Sequence, residues 1–207
     1  MAVIKQQETL SDVRPVLRLA SASPRRRQLL ELIGVPHVVT PADLDETRRA
    51  HEAGADYVAR LAGEKAAAIR NIHRDLPVLA ADTTVEVDGQ ILEKPQSEDD
   101  AMRMLALLSG REHQVHTGVC AISGKAPSVI VSSTEVRFRR ITAREMRAYW
   151  ASGEPQGKAG AYAIQGLGAV FVEKVNGSYS GVMGLPLFET ARMLESHGVP
   201  VWHGALS

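Results

Sequence analysis

The sequence predicts a mixed α/β protein with a central β-sheet flanked by helices. Strand-like and helix-like segments alternate along the whole chain, which is typical of this class. The 207 residues, 44% of them hydrophobic, suffice for a sizeable core, and no repeats or low-complexity linkers divide them. We therefore expect one domain over residues 15–207, with one core or two small lobes around a cleft, after an N-terminal extension over residues 1–14.

The first half of the chain opens with a strand and a helix. The apolar run at residues 16–20 predicts the strand. Ser23 and Pro24 then suit a helix N-terminus, because serine caps helices and proline fits their first position, and Gly34 is placed to end the helix. The elements expected next are a strand over 35–40, a helix over about 52–72 with Lys65 toward a cleft, a strand over 77–87, and a hairpin through Asp88-Gly89 to residues 90–92.

The second half continues the alternation. Ser97 is expected to open a helix that Gly110 closes, and Thr142 with Glu145 forms a capping box for a helix ending near Gly153. The strands expected here lie around residues 114–123 and 128–139, joined by a turn at 124–127, and at 161–164 and 170–175, the last followed by the turn Asn176-Gly177. A last helix is expected over residues 186–197.

Composition excludes several classes of function. Lysines plus arginines equal aspartates plus glutamates at 24 each, so the chain lacks the basic excess of a nucleic-acid-binding surface. The first 14 residues lack the apolar core of a signal peptide, and no apolar run is long enough to span a bilayer, so we expect a cytoplasmic protein without membrane partners. The single cysteine, Cys120, lies in an apolar run and is expected to be a buried structural thiol.

The most informative segment is Ser21 to Arg27, where three arginines occupy the first turn of the expected helix. A helix N-terminus presents unpaired amides and the positive end of its dipole, so cations there are unusual unless a polyanion binds. Guanidinium groups bind phosphate oxygens in bidentate fashion. The alternative is a solvated basic turn, and Arg27 is expected to lie on the surface because three successive residues cannot share one helix face.

Acidic residues provide candidate metal ligands or bases. Asp82 follows a buried-strand pattern and is expected at a strand position that opens into a cleft, although an aspartate that caps a turn is an equal alternative. Asp43, Asp45 and Glu46 form a second cluster in an expected loop, which suits magnesium as well as simple solvation. The candidate phosphate contacts beyond the arginines are Lys94, before Pro95, and Lys158, in a glycine-rich stretch.

Four motifs in register resemble the Maf family of nucleotide pyrophosphatases. The motifs are Leu-Ala-Ser-Ala-Ser-Pro-Arg-Arg at residues 19–26, Ala-Asp-Thr at 81–83, Ile-Leu-Glu-Lys-Pro at 91–95, and the stretch at 157–166. The resemblance covers residues 19–198 and implies an ITPase-like α/β fold with two lobes around a cleft, usually dimeric. It also implies hydrolysis between the α and β phosphates with Mg²⁺ or Mn²⁺. The later motif at residues 184–187 is interpreted as structural.

The resemblance assigns roles residue by residue. Asp82 matches the catalytic acidic position, the proton acceptor, and Glu46 matches a second acidic position, so these two are the expected metal ligands. The residues that match phosphate-handling positions are Arg25, Arg26, Lys65 and Lys94. The further expected substrate contacts are Ser21 and Lys158, with Arg26, Thr83 and Gln165 at positions that govern specificity. Which carboxylate acts as base and which as ligand stays open, as does water activation by the metal itself.

The substrate class follows from Gln165. Ile164-Gln165-Gly166 is similar to the family branch that acts on dTTP and UTP, whereas a glutamate at residue 165 would indicate 7-methyl-GTP. Uracil and thymine offer an N–H donor beside a carbonyl acceptor, and an amide side chain meets both. An amide can also flip to suit cytosine, so CTP and modified pyrimidine nucleotides stay open. A regulator of cell division that binds nucleotide and hydrolyses it only incidentally is the alternative function.

Overall fold

The computed structural model describes residues 13–124 and 126–202. Nearly all of the expected N-terminal extension, and Lys125 of the expected turn at 124–127, lie outside them. Over the described residues the strands are β1 Leu17–Leu19, β2 His37–Val39, β3 Val78–Val87, β4 Gln90–Leu92, β5 Glu112–Ile122, β6 Ser128–Phe138 and β7 Val172–Asn176. The helices are α1 Pro24–Leu32, α2 Gly54–Ile72, α3 Glu98–Leu108, α4 Ala143–Ala151, α5 Tyr179–Met183 and α6 Leu187–Ser196. The predicted mixed α/β class is confirmed.

All of these strands belong to one sheet, in the order β2-β1-β3-β5-β6-β7, with β4 paired to β3. β2, β1 and β3 are parallel, and the other pairings are antiparallel. Leu19 of β1 lies beside Leu79 of β3, and the amide of Ala20 donates to the Leu79 carbonyl at 2.8 Å. Since both strands run the same way, the arginine-rich turn after β1 and the Asp82 region of β3 meet at the same place.

The core is divided along the length of β3. Residues of its first half pack with α1 and α6 on one face of the sheet and with α2 on the other, as Leu79 and Ala80 illustrate. Val85 and Val87, in its second half, pack instead with α3 and α4. The residues between them, Asp82 to Thr84, therefore lie where one half of the core gives way to the other.

Helix α2 lies directly on the sheet. Its buried residues recur at helical spacing, among them Val58, Leu61 and Ala62. It crosses β5 at Gly118, where an ideal Cβ would lie 2.3 Å from the Val58 carbonyl oxygen. No side chain fits between these two backbones, so Gly118 sets how closely α2 approaches the sheet.

The local signals for turns and caps are mostly confirmed. Ser97 caps α3 through the amide of Asp100, and Thr142 with Glu145 forms the expected capping box of α4. The Asp88-Gly89 hairpin joins β3 to β4. Ser23 precedes α1 as expected, but its side chain makes no capping hydrogen bond.

The strand predicted over residues 161–164 is wrong. The chain there forms a short 3₁₀ turn, Ala159–Ala161, in which Gly160 and Ala161 have φ values of 67° and 58°. These left-handed conformations are incompatible with a strand. The Ala163 amide donates to the Tyr149 hydroxyl rather than to a neighbouring strand. The apolar pattern that predicted the strand reflects burial in a turn.

Other boundaries differ by a few residues. The strand expected over 35–40 is shorter, and the strand expected over 170–175 starts at Val172, because Leu167–Phe171 forms a second 3₁₀ segment. The short helix α5 was not predicted, since its five residues contain too few apolar positions to show a helical period.

The isolated cysteine behaves as expected. Cys120 lies fully buried in β5, and burial raises the pKa of its thiol to about 11. The predicted burial of this thiol is confirmed. Among the helices of residues 13–124 and 126–202, none has both the length and the apolar character needed to cross a membrane.

A buried histidine makes stability depend on pH. His113 of β5 packs edge-on against Phe138 and Tyr162, and its Nε2 lies 2.9 Å from the Tyr162 hydroxyl oxygen. Burial lowers the pKa of His113 from 6.5 to about 4. Between these values the unfolded chain binds a proton that the folded chain does not, so the stabilisation present above pH 6.5 is lost as the pH falls toward 4.

We expect this single group to lower the free energy of unfolding by about 2 kcal/mol between pH 7 and pH 4.5. Urea unfolding at the two pH values measures it. The variant His113→Gln lacks the titrating ring, so its loss over the same range should be smaller by that amount. Equal losses in the two proteins would show that His113 does not carry this pH dependence.

Candidate active site

A cleft of about 850 Å³ opens where the two halves of the core meet. Ten residues that the sequence analysis expects at the catalytic, metal and substrate positions all line it. Those residues are Ser21, Arg25, Arg26, Glu46, Lys65, Asp82, Thr83, Lys94, Lys158 and Gln165. Segments distant in sequence thus form one site, and Asp45 of the acidic cluster also reaches it. Asp43 is absent from the lining.

Two carboxylates share one ammonium group in the cleft. The Lys65 Nζ lies 2.6 Å from Asp82 Oδ1 and 2.6 Å from Glu46 Oε1. Lys65 projects from α2 and Asp82 from β3, and both are almost fully buried, whereas Glu46 is more exposed. Asp82 therefore lies in the cleft beside a second carboxylate, which favours the role of ligand or base over that of a turn-capping residue.

Glu46 belongs to an irregular segment that α2 holds in place. The Tyr57 hydroxyl donates to the Glu46 carbonyl at 3.0 Å, and Arg60 donates to the Thr47 carbonyl at 3.3 Å. Partial burial opposes ionisation of the Glu46 carboxyl, but the hydrogen bond and charge of Lys65, together with the charges of Lys94 and Arg26, outweigh it and hold its pKa below the ordinary value. Glu46 is thus kept ionised and fixed near Asp82.

Arg26 joins three separate segments. Its Nε donates to the Gly184 carbonyl at 2.9 Å, its Nη1 to Ser21 Oγ at 3.1 Å, and its Nη2 to Thr83 Oγ1 at 3.1 Å. Burial lowers the pKa of its guanidinium, and the charges of Asp82 and Glu46 oppose that shift. Arg26 therefore orders the cleft wall, and the motif at residues 184–187, interpreted as structural, contributes through its first carbonyl.

Arg25 lines the same cleft but differs from Arg26 in its contacts. Its Nε is buried and has no hydrogen-bond partner within the described part of the chain. Burial lowers its pKa, with Arg26 lowering it further and Tyr149 opposing the shift. Arg27, in contrast, is exposed and pairs with Glu31 at 3.5 Å. The first turn of α1 therefore directs two of its three arginines to the cleft.

The lysines expected to contact phosphate differ in their surroundings. Lys94 is exposed at the cleft rim, where its backbone carbonyl accepts from Gln96. Lys158 is half-buried, and its ammonium donates to the Gln156 carbonyl at 3.1 Å. Both lie within the cleft lining, so both can reach a bound anion.

The expected specificity residues lie in the same cleft. Thr83 Oγ1 accepts a hydrogen bond from Arg26 and lies 2.9 Å from Thr117 Oγ1. The Thr117 hydroxyl in turn donates to the Gly181 carbonyl. Gln165 is exposed on a turn between the two 3₁₀ segments, Ala159–Ala161 and Leu167–Phe171. Thr83 is thus fixed by its neighbours, whereas the Gln165 amide is free to meet a ligand.

Sequence analysis missed several residues that shape the site. Tyr57 holds Glu46, Thr117 holds Thr83, and Glu93 adds a further carboxylate to the cleft lining. Burial and the nearby carboxylates Asp82, Glu93 and Glu46 raise the pKa of Tyr57 to about 12. Tyr57 and Thr117 stand in no distinctive local pattern, and Glu93 lies inside the motif at 91–95 without a role of its own predicted, so the folded arrangement is what identifies them.

The acidic pair fits a divalent cation. Carboxylate oxygens are the ligands that Mg²⁺ and Mn²⁺ prefer, and Mg²⁺ is commonly held by one or two carboxylates plus substrate phosphates. Asp82 and Glu46 converge on one cationic group, so their oxygens already surround a position that suits positive charge. Within the described ranges no cluster of three or more acidic, histidine or cysteine side chains forms a complete metal cage.

The fold and cleft define an α/β protein in which a carboxylate pair faces a basic helix terminus, an arrangement suited to phosphate-containing ligands. A family model described as "Maf-like protein" matches residues 16–197. The chain belongs to the Maf family.

Two curated relatives are named dTTP/UTP pyrophosphatase. The relative from Methylobacillus flagellatus is 51% identical over 185 residues, covering 88% of this chain and 93% of the relative. The relative from Bordetella parapertussis is 52% identical over 202 residues, covering 93% and 98%. Among solved structures, the Staphylococcus aureus Ham1 protein matches with a TM-score of 0.44 and 15% identity over 59% of this chain and 71% of that chain.

Proposed function

We propose that this protein hydrolyses dTTP and UTP to the nucleoside monophosphate and pyrophosphate. The observation that carries the proposal is the Lys65 ammonium held between Asp82 and Glu46, in a cleft that Arg25 and Arg26 of α1 also line. This arrangement combines a pair of carboxylates with cations that bind phosphate. The names of the two relatives described above support the nucleotide pyrophosphatase activity and its substrates.

In the proposed reaction, water attacks the α phosphorus, the bond from that phosphorus to the bridging oxygen breaks, and pyrophosphate leaves. Asp82 is the proposed acceptor of the water proton, since it is buried within the cleft and its Oδ1 lies 2.6 Å from the Lys65 ammonium. Lys65 orients the carboxylate of Asp82 through its 2.6 Å contact. Glu46 completes the acidic side and balances the charge of Lys65.

Cations in the cleft stabilise the charge that develops on the leaving group. Arg25 and Lys94 are the proposed pyrophosphate contacts, because neither of their charged groups has a carboxylate within ion-pair distance among the described residues. Donors aimed at developing charge in a water-poor site lower the barrier. Lys158 and the ordered Arg26 extend the basic surface to the rest of the nucleotide.

We propose Mg²⁺ or Mn²⁺ as the cofactor, held by Asp82 and Glu46. When bound, such a cation neutralises triphosphate charge. Binding to the protein alone can be measured with Mn²⁺ by electron paramagnetic resonance, comparing the unmodified protein with Glu46→Gln. Weaker Mn²⁺ binding in the variant is expected, and unchanged binding would remove Glu46 from the ligand set.

The central experiment measures pyrophosphate release from dTTP, UTP, CTP and 7-methyl-GTP, with Mg²⁺ or Mn²⁺. Release from dTTP and UTP at rates well above those from 7-methyl-GTP is expected. Nucleotide binding without release from any of the four would overturn the proposal and favour the alternative of a cell-division regulator. Release from modified pyrimidine nucleotides above that from dTTP would assign a house-cleaning role to the same site.

Gln165 provides a sharper test of base recognition. In Gln165→Glu a carboxylate replaces the amide, so the side chain can no longer donate to a carbonyl of uracil or thymine. We expect kcat/KM for UTP to fall about tenfold or more, because a buried base carbonyl would lose its donor and face a negative charge. The kcat/KM ratio of 7-methyl-GTP to UTP should rise. An unchanged ratio would show that Gln165 does not contact the base.

We also propose a cytoplasmic homodimer. The homodimer is what the family resemblance implies. Analytical ultracentrifugation at micromolar concentration distinguishes a dimer from a monomer, and a monomer would overturn this part of the proposal.

A further inference from the structure

The backbone of the turn that carries Gln165 is hydrogen-bonded to two side chains that do not line the cleft. Tyr149 lies near the end of α4, and Glu154 follows that helix. The Tyr149 hydroxyl accepts from the Ala163 amide at 3.0 Å and donates to Glu154 Oε1 at 2.7 Å. The start of the turn is therefore tied to Tyr149, and Tyr149 is tied to Glu154.

Glu154 holds the other end of the same turn. Its Oε2 accepts from the Leu167 amide at 2.9 Å, and its Oε1 accepts from the Gly168 amide at 3.0 Å. Within the turn, the Gly166 amide donates to the Ala163 carbonyl at 3.3 Å. Gln165 thus lies between two segments that are both bound to one pair of side chains.

The two glycines of the turn allow this pair to approach its backbone. An ideal Cβ at Gly166 would lie 2.1 Å from Glu154 Oε2, and one at Gly168 would lie 2.6 Å from the Tyr149 hydroxyl oxygen. A side chain at either position would have to displace the Glu154 carboxylate or the Tyr149 hydroxyl, so the two glycines let the pair contact the turn directly. A change in the pair is therefore passed to the backbone on which Gln165 stands.

The pair is also electrostatically suited to hold amides. Burial opposes ionisation of Glu154, but the amides of Gly168 and Leu167 and the Tyr149 hydroxyl outweigh it and hold the pKa of Glu154 below its ordinary value. An ionised carboxylate accepts stronger hydrogen bonds than a neutral group. The charge of Glu154 also acts on the nearby Lys158.

We infer that Tyr149 and Glu154 are positioning residues for base selection, which act by fixing the turn that presents the Gln165 amide to the nucleotide base. This inference rests on the proposed nucleotide pyrophosphatase function. Neither side chain lines the cleft, so neither contacts the base. The catalytic carboxylates belong to other segments, and a change in the pair should therefore alter base recognition more than the chemical step.

The test compares kcat and KM for UTP, CTP and GTP in Glu154→Gln and Tyr149→Phe. Glutamine has the shape of glutamate but loses one acceptor oxygen, and phenylalanine lacks the hydroxyl that joins Ala163 to Glu154. The kcat/KM ratio of UTP to GTP is expected to fall about tenfold in each variant, mainly through a higher KM for UTP. Glu173→Gln is the matched control, since Glu173 makes an exposed ion pair with Arg137 and should leave the ratio unchanged.

A double-mutant cycle separates positioning from simple stabilisation. If the pair acts through Gln165, then adding Glu154→Gln to Gln165→Ala should change the UTP to GTP ratio less than twofold further. If the pair had a purely structural role, Glu154→Gln would lower the melting temperature whether residue 165 is glutamine or alanine. Its effect on the UTP to GTP ratio would then be the same in the two cases. If Glu154→Gln fails to fold, Tyr149→Phe alone supports the same cycle.

The outcomes are distinguishable. Variants with a lower melting temperature or kcat but an unchanged kcat/KM ratio of UTP to GTP would overturn the inference. So would a fall in this ratio of equal size whether residue 165 is glutamine or alanine. Equal hydrolysis of all three nucleotides by the unmodified protein would overturn the inference and leave the pyrophosphatase activity intact. Hydrolysis of none would instead overturn the proposed function.

Discussion

Replacing Asp82 by asparagine is expected to lower kcat for pyrophosphate release from dTTP and UTP by about 10²- to 10⁴-fold. Asparagine keeps the size of the side chain but cannot accept a proton from water at neutral pH. The substitution also removes one of the two negative charges that face Lys65. Release of pyrophosphate, followed under saturating nucleotide and metal, measures the effect.

The matched control is Asp99→Asn, at an exposed position in the first turn of α3. It should retain the activity of the unmodified protein. Nucleotide binding to Asp82→Asn, measured by calorimetry, should persist because the arginines that face the cleft are unchanged. Near-normal turnover of Asp82→Asn at saturating metal would show that another group accepts the proton.

The second large effect concerns the fold. Gly118→Ala should lower the free energy of unfolding by about 3 kcal/mol, since the added Cβ would lie 2.3 Å from the Val58 carbonyl oxygen. The atoms that the new Cβ would meet belong to the backbone of α2, so rotation of a side chain cannot relieve the overlap. Helix α2 would have to move away from β5, and it carries Lys65. Urea unfolding measures the loss, and activity should fall with it.

Gly63→Ala is the matched control because Gly63 lies in the same helix and a Cβ there meets nothing within 4 Å. Alanine has the higher helix propensity, so this variant should gain about 0.5–1 kcal/mol. If both substitutions changed stability equally, close packing at Gly118 would not explain the result.

Much of the fold could be predicted from the sequence because local signals agree with the tertiary structure in most segments. The hairpin at Asp88-Gly89 and the caps at Ser97 and Thr142 depend on residues within a few positions of one another. Prediction was wrong over residues 161–164, where buried apolar residues lie in a left-handed turn. Burial alone does not distinguish a turn from a strand when the partner is a distant side chain such as Tyr149.

The candidate site could be predicted at the level of its motifs but not of its contacts. The positions of Asp82, Lys65 and Glu46 in one cleft follow the resemblance, yet the sequence contains no sign that one ammonium joins both carboxylates. The support given by Tyr57 and Glu154 depends on contacts between segments that no local pattern encodes. Such residues become visible only when the fold brings them together.

The continuous pairing of β3 with β5 limits how the molecule can open. The register runs without a bulge from Val78 opposite Ile122 to Glu86 opposite Gln114, through the whole junction between the two halves of the core. A hinge at this junction would have to break the backbone ladder, unlike a hinge in a flexible connection. The strand that carries Asp82 is therefore held in register on both sides of the junction, and separation of the two halves of the core is not a route by which the cleft can open.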